Sequence, residues 1–515
     1  MSSLARPFTW FYVEFGIRSI HETGRNAYLI ILARSCRMFA YGATFILALF
    51  LAELKFSDYQ IGLFMTLTLV GDVFLGTFLT LIADRVGRRK ILVGGSFLMV
   101  WSGIAFAYFE NFWMLLFGAV IGVISATGGD FGPFRSIEES ILSHLTTPQT
   151  RADVLSWYVT TSTFGVALGS EASGRIVHYL QGLDGWTLTS AYHSLFWMYA
   201  VFGGVNAAIG LLLTAECEIQ SDETGSYAQL AQDESVSSNT GHPQNSSSAG
   251  KSNPVGKANL WRRISSWLSN NLSQISGPTR SVMYKLWLLL ALDSVADGMV
   301  PYNLTNYYLD EKFHPSKKAL GDATSASYIL GTISAVFAGP LSRKIGLINT
   351  MVFTHIPSSA AVLAFPFPDS LWLTIILLFV RTGLNNMDQA PRAAFIAAVV
   401  KPEERTAVMG ITGMLRTLAA VSGPSITGIL AGNDRFWIAF VAAGAFRLAY
   451  DVGLYALFIN MKLHSHEIKQ APVDDVESLV RDTDHHGEDD IETALEMQSL
   501  ASSSDDEGEW KKGAQ

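Results

Sequence analysis

Two aspartates, Asp293 and Asp297, stand four residues apart in the apolar run "LWLLLALDSVADGMVPYNL" (286–304), on one face of any helix it forms. A charge near the centre of a bilayer costs about 2.5–3.5 kcal/mol on insertion scales, so each needs a partner, water or a task. Ten other ionisable residues lie in comparable runs: Arg34, Arg37, Asp72, Asp130, Glu171, Arg381, Asp388, Arg416, Arg447 and Asp451. Arg447 and Asp451 are spaced to pair along one helix. Arg175 and Arg392 stand at run ends and are expected to reach the interface. No metal-ligand, nucleophile or phosphate-cradle pattern accompanies these charges, so neither a catalytic residue nor a cofactor is expected. The chemistry on offer is charge, and with it protons, inside a membrane.

Depth sorts the candidates. Arg34, Arg37 and Asp293 fall in the cytosolic third of their runs, and Asp130 and Asp388 near the cytosolic ends, as an inner gate or inter-helix clamp would require. Arg381 and Arg416 fall near mid-run, and Asp297 and Asp72 are also deep; these four are the candidates for substrate binding or coupling. The two arginines either bind an anionic or carbonyl-rich solute, which guanidinium does bidentately, or neutralise acids such as Asp297. A carboxylate whose arginine partner changes with conformation can carry a proton, and Asp297 is the best placed for it.

The elements that must hold these charges follow from composition. Of 515 residues 49% are hydrophobic and only 16% charged, where soluble domains carry roughly 25% charge. Twelve mostly apolar runs of about spanning length lie near 30–52, 61–82, 91–109, 112–134, 154–175, 195–215, 286–309, 322–341, 348–367, 371–394, 406–431 and 436–459. The predicted organisation is a cytosolic segment 1–29, a six-helix bundle 30–215, a cytosolic linker 216–285, a second bundle 286–461 and a tail 462–515. The N-terminus lacks the pattern of a cleavable signal. In the linker, "WRRISSWLSNNLSQI" has apolar residues at helical spacing, fitting an amphipathic helix that lies on the bilayer or packs on the protein. The tail holds fifteen acids against five basic residues and is expected to be disordered. Basic nucleic-acid-binding tracts are absent. Cys36 and Cys217 are too few for a disulfide framework and read as buried small residues.

Basic residues sort the loops. "DRVGRRK" (84–90), Arg135 with Arg151, Arg262 with Arg263, Arg343 with Lys344, and Lys401 with Arg405 fall on one side; Lys55, Lys312, Lys317, Lys318 and Arg435 fall on the other. The positive-inside rule places both termini, the linker and the tail in the cytosol. "YAQL" (227–230) in the linker has the spacing of a sorting signal, which together with the tail gives possible docking points for trafficking adaptors and fits a plasma or vacuolar/endosomal membrane.

The two halves repeat. Gly42 matches Gly298 at an offset of 256, Gly87 matches Gly346 at 259, Pro133 matches Pro391 at 258, and Arg151 and Gly169 match Arg405 and Gly423 at 254. Five matches in order argue for duplication of a six-helix unit, with a cavity where the copies meet. By these offsets Asp293 falls opposite Arg37 and Asp297 opposite Tyr41, so Asp297 has no charged counterpart.

The turn between the second and third runs, with Asp84, Arg85, Gly87, Arg88, Arg89 and Lys90, resembles the hallmark of the major facilitator superfamily. The hallmark's leading glycine is Thr80 here, and the second copy keeps Gly339 and Gly346 with Arg343 in place of Asp84. The resemblance implies an all-α fold of twelve transmembrane helices in two six-helix repeats, and a turn that locks the halves at the cytosolic end. Gly87 would permit the bend and Asp84 would cap or pair, while the basic cluster serves equally as a positive-inside anchor. "GVALGSEASG" (165–174) partly resembles a drug–proton antiporter signature, and small residues also permit close helix packing. The expected function is secondary transport of a small solute, coupled to protons, with efflux of a drug-like compound or metabolite leading. The alternatives are an uptake carrier for an organic anion and a transporter-fold receptor signalling through linker and tail.

Overall fold

The computed structural model describes residues 17–122, 133–147, 150–218, 276–400 and 405–459. Asp130, the candidate amphipathic helix, "YAQL" and the acidic tail lie outside them. Every regular element among the described residues is a helix, with no strand. A short α1 (Ile17–Thr23) leads into α2 (Arg25–Tyr41), then a 3-10 turn (Gly42–Ile46) and α3 (Leu47–Glu53), which together make the first span. α4 (Asp58–Val86), α5 (Arg88–Tyr108), α6 (Phe112–Ile121), α7 (Pro133–Leu145), α8 (Arg151–Gln181) and α9 (Leu188–Leu211) complete the first half. The second half has α10 (Gly277–Met299), α11 (Tyr302–Phe313), α12 (Lys317–Ile345), α13 (Leu347–Ala364), α14 (Leu371–Asn385), α15 (Gln389–Val399), α16 (Arg405–Ala431) and α17 (Phe436–Phe458). Among the described residues, seven helical segments are long and apolar enough to cross a membrane by themselves.

The repeat is visible as packing. A Cβ placed on Gly169 would meet the Phe39 carbonyl at 1.9 Å, and one on Gly42 would meet Gly169 at 2.5 Å. In the second half a Cβ on Gly423 would meet Gly298 at 2.1 Å, and one on Gly298 the Ala420 carbonyl at 2.1 Å. Matched glycines therefore make the same backbone-on-backbone crossing of the first and fifth spans in each half. The matched turn glycines also agree: Gly87 at φ 107° and Gly346 at φ 88° join α4 to α5 and α12 to α13 in a conformation that glycine adopts without strain.

Three spans expected to be continuous are interrupted. The first tightens into its 3-10 turn, the tenth passes through a second one at Asn386–Asp388, and the seventh breaks at Val300 and Pro301. Pro301 has no amide to continue the ladder and forces Val300 out of helical geometry, to φ −126°, ψ 52°. The carbonyls freed by the break find other donors: Thr427 Oγ1 donates to Met299 at 2.7 Å, and Arg381 donates to Val300.

The start of the linker docks onto the hallmark turn. The Glu218 carboxylate accepts from the Arg88 and Arg89 amides at 2.7 and 3.1 Å, capping α5 where the helix dipole favours an anion. Beside it Cys217 is buried against Ile20, Ala27 and Leu213, and burial pushes its thiol up to about 11. At neutral pH Cys217 should resist maleimide in the folded protein. Glu218→Ala should undock the segment and expose Cys217 to labelling, read by mass spectrometry of the intact chain.

Candidate functional site

In the first half, Arg37 on α2 grips Glu138 on α7 with two hydrogen bonds of 2.9 and 2.7 Å. The Tyr158 hydroxyl on α8 donates to the same carboxylate at 2.7 Å and accepts from Arg34 at 2.7 Å. The Arg34 guanidinium also lies over the Tyr158 ring, 4.1 Å from its centroid. All four residues are buried. Asp72 is buried on α4. Asp84 and Arg85 fall on the final turn of α4, and Arg88, Arg89 and Lys90 open α5.

The second half holds a larger charged cluster. Asp293 on α10 is within 3.5 Å of Arg392 on α15 and 3.9 Å of both Arg416 on α16 and Arg447 on α17. Arg392 also pairs with Asp388. Arg447 donates to Asp297 at 2.6 Å and to Asn385. His355 on α13 places Nδ1 2.7 Å from Asp451 and Nε2 3.8 Å from Asp293. Ser359 donates to the other Asp451 oxygen at 2.8 Å. Most of this is shut away from solvent, but the Asp297 and Arg416 side chains remain 38% and 36% exposed.

Several expectations change on this geometry. Arg447 and Asp451 do not pair with each other: four residues apart on α17, they face different neighbours, Asp297 and His355. Arg392 does not reach the interface but is buried between two carboxylates. Arg381 hydrogen-bonds not with Asp297 but with Thr305 at 3.0 Å and the freed Val300 carbonyl, so it caps the broken seventh span. Arg416 donates to Ser294 at 3.1 Å and stands 3.9 Å from Asp293 while staying part-exposed. Arg37 and Asp293 occupy matched places, yet each pairs inside its own half. The fourth-span helix supplies the partner both times, with the signs reversed: arginine to glutamate in one half, aspartate to arginine in the other.

Sequence reasoning missed Glu138, Tyr158, His355 and Ser359. Glu138 fell past the expected end of the fourth span. His355 was passed over because neutral histidine barely lowers the hydropathy of a run.

The halves meet most closely at the end away from the "DRVGRRK" turn. A Cβ on Gly62 of α4 would lie 2.8 Å from Gly428 of α16, and one on Gly174 of α8 2.9 Å from Gly321 of α12. These two seams are related by the repeat itself, since Gly428 follows Gly174 by 254 residues and Gly321 follows Gly62 by 259. Cross-half hydrogen bonds cluster at the same end: Tyr307 to Asp58 at 2.6 Å, Ser425 to Thr66 at 2.7 Å and Thr66 to the Val421 carbonyl at 3.2 Å.

Two six-helix copies meeting face to face, with buried charge inside each and one end closed, make a transporter-type membrane bundle. The chain belongs to the Major Facilitator Superfamily, whose sequence profile matches residues 29–270 and 286–483. It is 31% identical over 431 residues to the uncharacterized membrane protein YJR124C of Saccharomyces cerevisiae, covering 82% of this chain and 92% of that one. Its fold resembles the nucleoside transporter NupG, with a TM-score of 0.59, 13% identity, and 85% and 100% of the two chains covered. It also resembles the inward-open xylose transporter XylE of E. coli, with a TM-score of 0.59, 12% identity, and 88% and 99% covered. At these identities the structural likeness fixes the fold alone. The chain is thus a multi-pass membrane protein with a secondary-transporter fold, not an enzyme.

Proposed function

We propose that the protein moves a small solute by alternating access, coupled to protons, and that the arrangement described is its inward-facing state. The observation that carries this reading is the pair of repeat-related glycine seams closing one end, with Asp297 and Arg416 the part-exposed members of the charged cluster. With the basic loops in the cytosol, the seams lie on the outer side. Efflux of a drug-like compound or metabolite remains the leading assignment. The part-exposure of Arg416 favours one second reading, an organic-anion carrier.

A thermal-shift screen of small solutes on purified protein, followed by flux in proteoliposomes, tests both. An anionic solute should raise the melting temperature of the wild type and lose that effect in Arg416→Ala. Equal stabilisation in the variant would remove the anion reading. A solute that binds and is never translocated, with or without a proton gradient, would overturn transport and favour a receptor.

A further inference from the structure

Arg381 is engaged by the broken seventh span, which leaves the charged cluster of the second half with four carboxylates (Asp293, Asp297, Asp388 and Asp451) and three arginines (Arg392, Arg416 and Arg447). Asp451 has no arginine at hydrogen-bond distance among the described residues; its partners are His355 and Ser359. An ionised carboxylate only accepts, so the Nδ1 of His355 carries the proton of that 2.7 Å contact. Its Nε2 then faces Asp293 Oδ1 at 3.8 Å, with no hydrogen bond made to that oxygen. The imidazole sits between two carboxylates with one nitrogen still able to take a proton.

From the geometry we infer that His355, held by Asp451 and Ser359 and facing Asp293, is the proton-binding site of this carrier, in place of the part-exposed carboxylate Asp297. The inference rests on the proton-coupled reading above. Histidine is the one side chain in the cluster that ordinarily titrates near neutral pH. The groups around it are Asp451, Arg447 and the edge of the Tyr450 ring from α17, Asp293 from α10, Asp388 from the turn before α15, and Arg392 from α15 itself. A proton leaving hydronium would form a bond at Nε2, give imidazolium paired on both sides, and leave water behind. The reverse transfer returns it.

Burial supplies the coupling. His355 is 1% exposed, and Asp293 and Arg447 stand between it and the part-exposed Asp297. Exchange with bulk water in this conformation requires the Asp293–Arg447 layer to part, so proton uptake and rearrangement of the second half occur together. The two other spans in contact with this layer carry Arg392 and Arg416, which would register the added charge directly.

The test uses the proton as its own probe. Reconstituted full-length protein on a solid-supported membrane, given a pH step with no solute, should produce a transient current from proton binding. His355→Gln should abolish the transient, and Asp451→Asn should shift its midpoint pH. His193→Gln should leave the transient intact; it removes a second part-buried histidine, bonded to the Phe106 carbonyl in the other half. Because His355→Gln keeps an amide able to bond Asp451, its melting temperature should stay near that of the wild type, and a folded variant without current supports the site. A transient that survives in His355→Gln and vanishes in Asp297→Asn would overturn the inference while leaving proton coupling standing. No transient in the wild type would overturn the proton-coupled reading itself.

Discussion

Arg447→Ala should be the most damaging single substitution in the second half, costing about 3–5 kcal/mol of stability, the range seen when one partner of a buried ion pair is removed. Arg447 is almost fully buried, donates to Asp297 and Asn385, and stands 3.9 Å from Asp293. Deleting it leaves two carboxylates facing each other with one positive neighbour fewer and no added water. Thermal unfolding of the purified variant in detergent would show the loss. Asp297→Asn in the same chain should recover a sizeable part of it, since the acid that most needs the arginine is then neutral. The four-member mutant cycle separates that pairing from the lost packing of the long side chain. Full additivity of the two substitutions would show that Arg447 and Asp297 do not work as a pair.

Gly174→Val should abolish transport without unfolding the protein. Its first new atom would fall 2.7 Å from the Lys317 carbonyl and 2.9 Å from Gly321, backbone that cannot yield as a flexible side chain would. Overpacking of this kind costs about 1–3 kcal/mol. Here the strain acts only where the halves are closed, so it shifts the balance toward the opposite arrangement by roughly 5- to 150-fold. Gly62→Val, at the related seam, should do the same. Thr66→Cys, introduced beside that seam, should then become more reactive toward a membrane-impermeant thiol reagent applied from the seam side. Gly169→Val makes the necessary contrast: its contact with Phe39 lies within one half, so it should impair folding and not merely lock the carrier. Wild-type flux in Gly174→Val would remove the seams from the mechanism.

The fold was legible because its chief signals are long apolar runs and a repeat that glycine betrays. Gly42, Gly169, Gly298 and Gly423 were matched from spacing, and they turn out to be the touching points of equivalent helices. Gly87 and Gly346 were matched in the same way, and both adopt positive φ. The charged residues were legible as a set, since an arginine or aspartate in an apolar run stands out whatever it does. Their pairing was not, because partners lie on other spans at separations of 62 to 150 residues, as with Arg447 to Asn385 and to Asp297. Local spacing misled for the same reason: Arg447 and Asp451 fit a helical pair, but tertiary neighbours offered each a better one. Arg381 was misjudged through Pro301, whose interruption of the seventh span creates the carbonyl that the guanidinium serves.

The reversal of sign between the halves has an electrical consequence. Among the described buried groups the first half sets Arg34, Arg37 and Arg88 against Glu138 and Asp72, with no imidazole among them. The second half sets four arginines against four carboxylates, with Asp297 and Arg416 part-exposed, and adds a buried imidazole, so its charge can change by one. Membrane voltage would therefore pull on one half of the molecule and hardly on the other. A full unit charge carried across the whole field is worth about 2.3 kcal/mol per 100 mV, and a fraction of that path a proportionate share. The rocking of such a carrier would be lopsided: one half a frame of fixed charge, the other a slowly charging electrode.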